Sequence, residues 1–245
     1  MRMPRLFHST SLKSKERVAL DPGPSKHVLT VLRLKSGAPL VLFDGSGFEF
    51  EAKLDQVNKT QVWVKLISTH RPKVESPLHV TLIQGVSRGE RMDFTVQKAV
   101  ELGIGVVVPV LTERSVVKLD SDNGARKRLH WQGIAIGACE QSGRVRVPEV
   151  KLPVTLTQFL ASTPEASHKL LLDPLAGSTA NDLPPPADHR VLLLAGPEGG
   201  LSENEQNLAT NAGFTGLKLG PRILRTETAA LVALSLLQAQ WGDLT

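Results

Sequence analysis

Two runs late in the chain, LLL at 170–172 and VLLLA at 191–195, carry no polar residue on either face. A strand with one face in water alternates apolar and polar positions. A strand without polar positions needs cover on both faces, which helices on either side of a parallel sheet supply. GVVVPVL at 105–111 has the same character, and LHVTLIQ at 78–84 reads as a further strand. Helical patterns lie between them: Met92, Val96, Ala99 and Val100 recur at helical spacing, 125–141 reads as a helix, TLTQFLAS as a short one and TETAALVALSLLQAQW as a last one. Strands and helices in alternation predict an α/β domain around a mostly parallel sheet.

The first third reads differently. VLFDGSGFEFEAKL places two strand-like runs around the turn at 44–47, a hairpin signal, and TQVWVKLI alternates as another strand. Short strands with turn chemistry predict a small β-barrel or sandwich. HRPKVESP, with Pro72 and Pro77, breaks the pattern, so the expected division is a β domain at 1–74 and an α/β domain at 75–245.

Charge divides along the same line. Residues 1–74 hold 13 Lys and Arg against 6 Asp and Glu, while the rest holds 16 against 18. A basic first module points to phosphate, most simply nucleic acid, or to a merely basic surface, and charge alone does not choose between them. The single cysteine, Cys139, excludes an internal disulfide and a thiolate zinc cluster and suits a reducing compartment. The seven histidines have no ligand spacing, and no apolar run reads as a signal peptide or a membrane span, so a cytoplasmic protein with no metal is expected. Walker, dinucleotide, GxSxG and HExxH motifs are all missing.

The informative stretch is LLLAGPEGGLSENE, 192–205. It lies at the carboxyl end of a parallel strand, where open α/β sheets bind ligands. Ser202 and Glu205 form a capping box that starts the next helix at Ser202. Gly199 and Gly200 therefore sit in the strand-to-helix connection, where missing side chains allow close approach. LKLGPRILRTETAA repeats the design, with Gly220 at a strand end and Thr226 as the expected N-cap.

These two loops resemble the C-terminal signature loops of SPOUT RNA methyltransferases, specifically the RsmE family. QGVSRGERMDFTVQKAVELGI, TERSVV and EQSGR resemble its other blocks, and RLFH with HVLTVLRLKSGAPLVLFDGSG resembles its small PUA-like β-barrel domain. The resemblance implies a SPOUT α/β-knot domain with a trefoil knot, S-adenosylmethionine as cofactor, methylation of uridine N3 in 16S ribosomal RNA of the small subunit, and a homodimer. A SPOUT enzyme acting on transfer RNA, or a silent RNA-binding protein, are the alternatives.

On that basis the cofactor is expected at Leu172, Leu194, Gly196, Pro197, Glu198, Gly199, Gly200, Leu219, Gly220, Ile223, Leu224 and Arg225. RNA is expected at Arg5, Arg33, Lys35, Arg88, Arg114 and Arg144. Uridine N3 must lose a proton to become a nucleophile, so Arg225 is the expected cation beside a uracil carbonyl. Glu198 is the first candidate for proton acceptor and Glu227 the second.

Overall fold

The computed structural model describes residues 3–116 and 120–244, apart from the side chain of Ser121. The chain divides into two compact units. The first runs to Glu75 and takes in Cys139–Val147; the second comprises Ser76–Ala138 and the segment from Pro148 onward.

The first unit is a five-stranded sheet in the order β1-β3-β4-β5-β2, with β1 Arg5–Phe7, β2 Arg17–Ala19, β3 Pro39–Phe43, β4 Glu49–Val57 and β5 Val62–His70. The hairpin read at 44–47 joins β3 to β4, closing on the Phe43↔Glu49 pair with Gly45 and Gly47 at positive φ. Asp44 sets the turn by accepting from Ser46 N–H and from the Leu12 amide. Between β2 and β3 the short helix α1, Pro22–Lys26, runs on into a π-helical turn at His27–Leu32. The core gathers Leu6, Leu12, Val28, Leu40, Leu42 and Val64, all buried.

Glu75, read from sequence as part of a linker, locks the returning segment into this unit. Its Oε1 accepts the Val145 and Arg146 amides at 2.9 Å each, and its Oε2 pairs with Arg144 Nη2 at 2.8 Å.

The second unit is a seven-stranded sheet in which every described pairing is parallel. Its strands are β6 His79–Gly85, β7 Val106–Leu111, β8 Glu149–Val150, β9 Val154–Thr155, β10 His168–Leu172, β11 Arg190–Ala195 and β12 Thr215–Leu217. They lie in the order β12-β10-β11-β6-β7-β8, with β9 also on β7. The helices are α2 Glu90–Glu101, α3 Ser121–Ser142, α4 Leu156–Ala161, α5 Glu203–Asn211 and α6 Thr226–Trp241. Helix α2 buries Met92, Val96, Ala99 and Val100, the spacing that identified it. The Ser202–Glu205 capping box forms as expected: Ser202 Oγ accepts the Glu205 amide at 3.1 Å and Glu205 Oε2 accepts the Ser202 amide at 2.9 Å.

At α6 the structure departs from expectation. The N-cap is Arg225, and Thr226 is the first helical residue. The threonine hydroxyl does not cap its own helix; it donates instead to the Gly196 carbonyl, 2.5 Å away.

Candidate functional site: a cavity at three strand ends

Strands β12, β10 and β11 are neighbours, so their carboxyl ends open side by side. A cavity of about 540 Å³ lies there. Of the residues expected at the cofactor, Leu172, Gly196, Pro197, Glu198, Gly199, Gly200, Leu219, Gly220, Ile223, Leu224 and Arg225 line it. Leu194 does not line it: it is fully buried in the sheet core with Ile83, Val110 and Leu192. Position on a parallel strand explains this: Leu194 sits one residue inside the end of β11 and turns into the layer below, whereas Ala195 at the strand end and the loop after it reach the cavity.

The loop after β11 is held from three directions. Glu198 Oε1 accepts the Arg88 amide at 3.0 Å and pairs with Arg91 Nη1 at 2.8 Å. Arg114 Nη1 donates to the Gly199 carbonyl at 3.1 Å. From below, Gly85 at the end of β6 presses against the loop, because a Cβ there would stand 2.5 Å from Pro197 N. The next helix is fastened as well, since buried Glu205 accepts the Glu113 amide through Oε1 at 2.9 Å. Gly220, at φ +101°, makes a turn that other residues rarely adopt.

The geometry separates the two carboxylate candidates. Burial alone would raise the Glu198 carboxyl, but the Arg88 amide and the Arg91 guanidinium outweigh it and hold the group below the usual glutamate range. A carboxylate so engaged is a poor base and a good tether, so Glu198 anchors the loop. Glu227, in the first turn of α6, lines the cavity, and its buried Oε2 has no hydrogen-bond partner among the described residues. Arg225 is exposed at the cavity edge, with no salt bridge among the described residues.

The expected RNA contacts also divide. Arg33 and Lys35 are exposed, as are Arg88 and Arg114, the latter already engaged with Gly199. Arg5 and Arg144 are corrections: each side chain is only 9% exposed, Arg5 pairing with Glu49 and donating to the Gly143 and Arg144 carbonyls, and Arg144 pairing with Glu75. A guanidinium enclosed with a carboxylate and carbonyls is spent inside the fold. Sequence reading missed Arg91, Gln84 and Gly85 altogether: Arg91 and Gly85 meet the loop, and Gln84 meets Thr226, from more than a hundred residues away. Among the described residues, no cluster of His, Cys, Asp and Glu could hold a metal ion, and no helix is long and apolar enough to cross a membrane.

The parallel sheet with its strand-end cavity, and the separate small β unit, coincide with two domains of RNA methyltransferases. The RNA methyltransferase domain model matches residues 74–238, and the RNA methyltransferase PUA domain model matches 23–67. The ribosomal RNA small subunit methyltransferase E of Buchnera aphidicola from Schizaphis graminum is 34% identical over 244 residues, covering 100% of this chain and 99% of that protein. The Neisseria gonorrhoeae ribosomal RNA small subunit methyltransferase E, solved bound to S-adenosyl methionine, is 38% identical with a TM-score of 0.93 and full coverage of both chains. A Legionella pneumophila methyltransferase solved with its cofactor SAM is 43% identical with a TM-score of 0.94, covering 99% of this chain and 100% of that one. The chain belongs to the ribosomal RNA small subunit methyltransferase E family.

Proposed function

We propose that this protein transfers a methyl group from S-adenosylmethionine to N3 of a uridine in 16S ribosomal RNA, acting as a cytoplasmic homodimer. The observation that carries the reading is the cavity at the ends of β10, β11 and β12, where Arg225 and the unpartnered Glu227 Oε2 stand beside two backbone-rich loops.

The lining suits the cofactor. Leu172, Leu219 and Leu224 offer an apolar bed for an adenine ring, and the missing side chains at Gly196, Gly199, Gly200 and Gly220 let the cofactor lie close to the backbone. The volume falls within the roughly 300–1,000 Å³ of ordinary ligand pockets. When bound, S-adenosylmethionine supplies an electrophilic methyl group on a sulfonium.

The chain must then hold N3 in line and remove its proton. Arg225 sets a fixed cation beside a uracil carbonyl oxygen, and the N-terminus of α6 behind it adds positive potential, so the N3 anion is stabilised as it forms. Glu227 takes the N3 proton on its carboxylate; its free Oε2 supports this role over Glu198, whose Oε1 already accepts two hydrogen bonds. The uridine is unpaired or flipped out of its helix, because N3 lies on the pairing edge.

Arg33 and Lys35, exposed in the first unit, supply phosphate contact in keeping with its basic excess. The homodimer is supported by α6, which buries Ala230, Ala233, Leu234 and Leu237 in its own unit but leaves Leu236 41% exposed. Mass-spectrometric mapping of 16S ribosomal RNA from cells lacking the protein tests the reading. Loss of one N3-methyluridine, restored by the gene, is expected; an unchanged methylation map overturns it.

A further inference from the structure

We infer that Gln84 is a positioning residue for methyl transfer, the root of a buried hydrogen-bonded strut that sets the two cavity loops against each other. Gln84 is 0% exposed, on β6, which is paired on both sides: Gln84 faces Ala195 of β11 and Pro109 of β7. Its Nε2 donates to Thr226 Oγ1 at 3.0 Å and to the Gly85 carbonyl at 3.1 Å. Thr226 Oγ1 in turn donates to the Gly196 carbonyl. Both ends of this chain are backbone carbonyls, which can only accept, so every proton in it has one possible direction.

The strut joins parts of the cavity wall that the backbone does not. Gly196 opens the loop after β11, and Thr226 follows directly on Arg225 and precedes Glu227. Neither loop belongs to the regular ladder of the sheet at these residues, whereas Gln84 does. Through one amide, the rigid middle of the sheet fixes the distance between the 196–200 loop and the start of α6. Such a network is worth more buried than exposed, because each partner has no water to replace the other. Thr226 is a threonine for this contact, which explains why it makes no cap for α6.

The assignment rests on the cavity being the methyl-transfer site, and the test separates the two. Wild type, Gln84→Leu, Thr226→Val, Thr226→Ser and Gln84→Glu are compared by calorimetric binding of S-adenosylmethionine and by single-turnover methylation of small ribosomal subunits lacking the modification. Leucine and valine keep the volume and remove the donor or the bridge. Each is expected to slow single turnover on the order of ten- to a hundredfold, the scale of a small misplacement of reacting groups, with a smaller change in cofactor affinity. Thr226→Ser keeps the hydroxyl and recovers most of the rate. Gln84→Glu can donate to Thr226 only while protonated, so its rate falls with rising pH relative to wild type, a dependence that loss of packing does not produce. Wild-type rates in both Gln84→Leu and Thr226→Val, or equal rates in Thr226→Val and Thr226→Ser, overturn the strut. Should Gln84→Leu fail to fold, the two Thr226 variants decide. Failure of wild type itself to methylate the subunits overturns the proposed reaction instead.

Discussion

Gly85→Ala adds one methyl group at the point where the sheet meets the loop. The strand cannot yield: β6 is paired in register to β11 through Ala195 and to β7 through Val110. The new Cβ would lie 2.5 Å from Pro197 N, 2.6 Å from Pro197 Cδ and 2.8 Å from the Gly196 carbonyl carbon. Comfortable contact between such atoms begins near ~3.5 Å, so the loop must retreat by about 1 Å. Overpacking of this kind costs about 1–3 kcal/mol, and for a chain of this size each kcal/mol lowers the melting temperature by about 2–4 °C. The larger effect falls on function. A displacement of ~1 Å at Gly196 and Pro197 moves the cavity wall, and misplacement on that scale can cost about a hundredfold in rate. Thermal unfolding followed by single-turnover methylation, with cofactor affinity by calorimetry, reads all three. A melting temperature and turnover indistinguishable from wild type would refute the argument that contact with Gly85 sets the loop.

Other outcomes are expected from the same geometry. Arg225→Ala should keep cofactor binding and lose methyl transfer by a factor on the order of a hundred or more, read in single turnover. The Glu198 carboxyl is held below its ordinary value in the folded state, so its tether contributes fully above the usual glutamate range and is lost as pH falls through the lowered value. Acid titration of cofactor affinity should therefore show a step that Glu198→Gln abolishes. Burial pushes the Cys139 thiol up to about 12, which leaves roughly one thiol in ten thousand ionised at pH 8; a thiol-reactive dye should label it only after denaturant is added. Leu236→Glu should yield monomers in sedimentation at micromolar concentration, whereas a persistent dimer would place the interface elsewhere.

What could be read from the sequence was what is written locally. The apolar strands, the glycine turn between β3 and β4 and the Ser202–Glu205 box each depend on neighbours within a few residues, and each forms. The cavity loops were found because glycines at strand ends are a local signature as well. Contacts made across the fold left no such trace. Thr226 looks like any N-cap until the Gly196 carbonyl, thirty residues earlier, accepts its hydrogen bond. Arg5 and Arg144 carry the same charge as exposed Arg33, and only their enclosure with Glu49 and Glu75 separates them. Glu198 read as a base because nothing in its own loop reveals that Arg88 and Arg91 hold it. Spacing reports which groups a chain owns; the fold decides which of them are already engaged.

The first compact unit is assembled from two separated stretches, one ending at Glu75 and the other Cys139–Val147. On a translating ribosome the first stretch emerges some sixty residues before the second, by the order of the chain. Until then Arg5 lacks the Gly143 and Arg144 carbonyls, Phe7 lacks the Glu140 carboxylate for its amide, and Glu75 has none of its three partner residues. N-terminal domains usually fold first during synthesis, but this one completes its contacts only once residues 139–147 have emerged. A fragment cut at the apparent linker would inherit the sheet and lose its clasp.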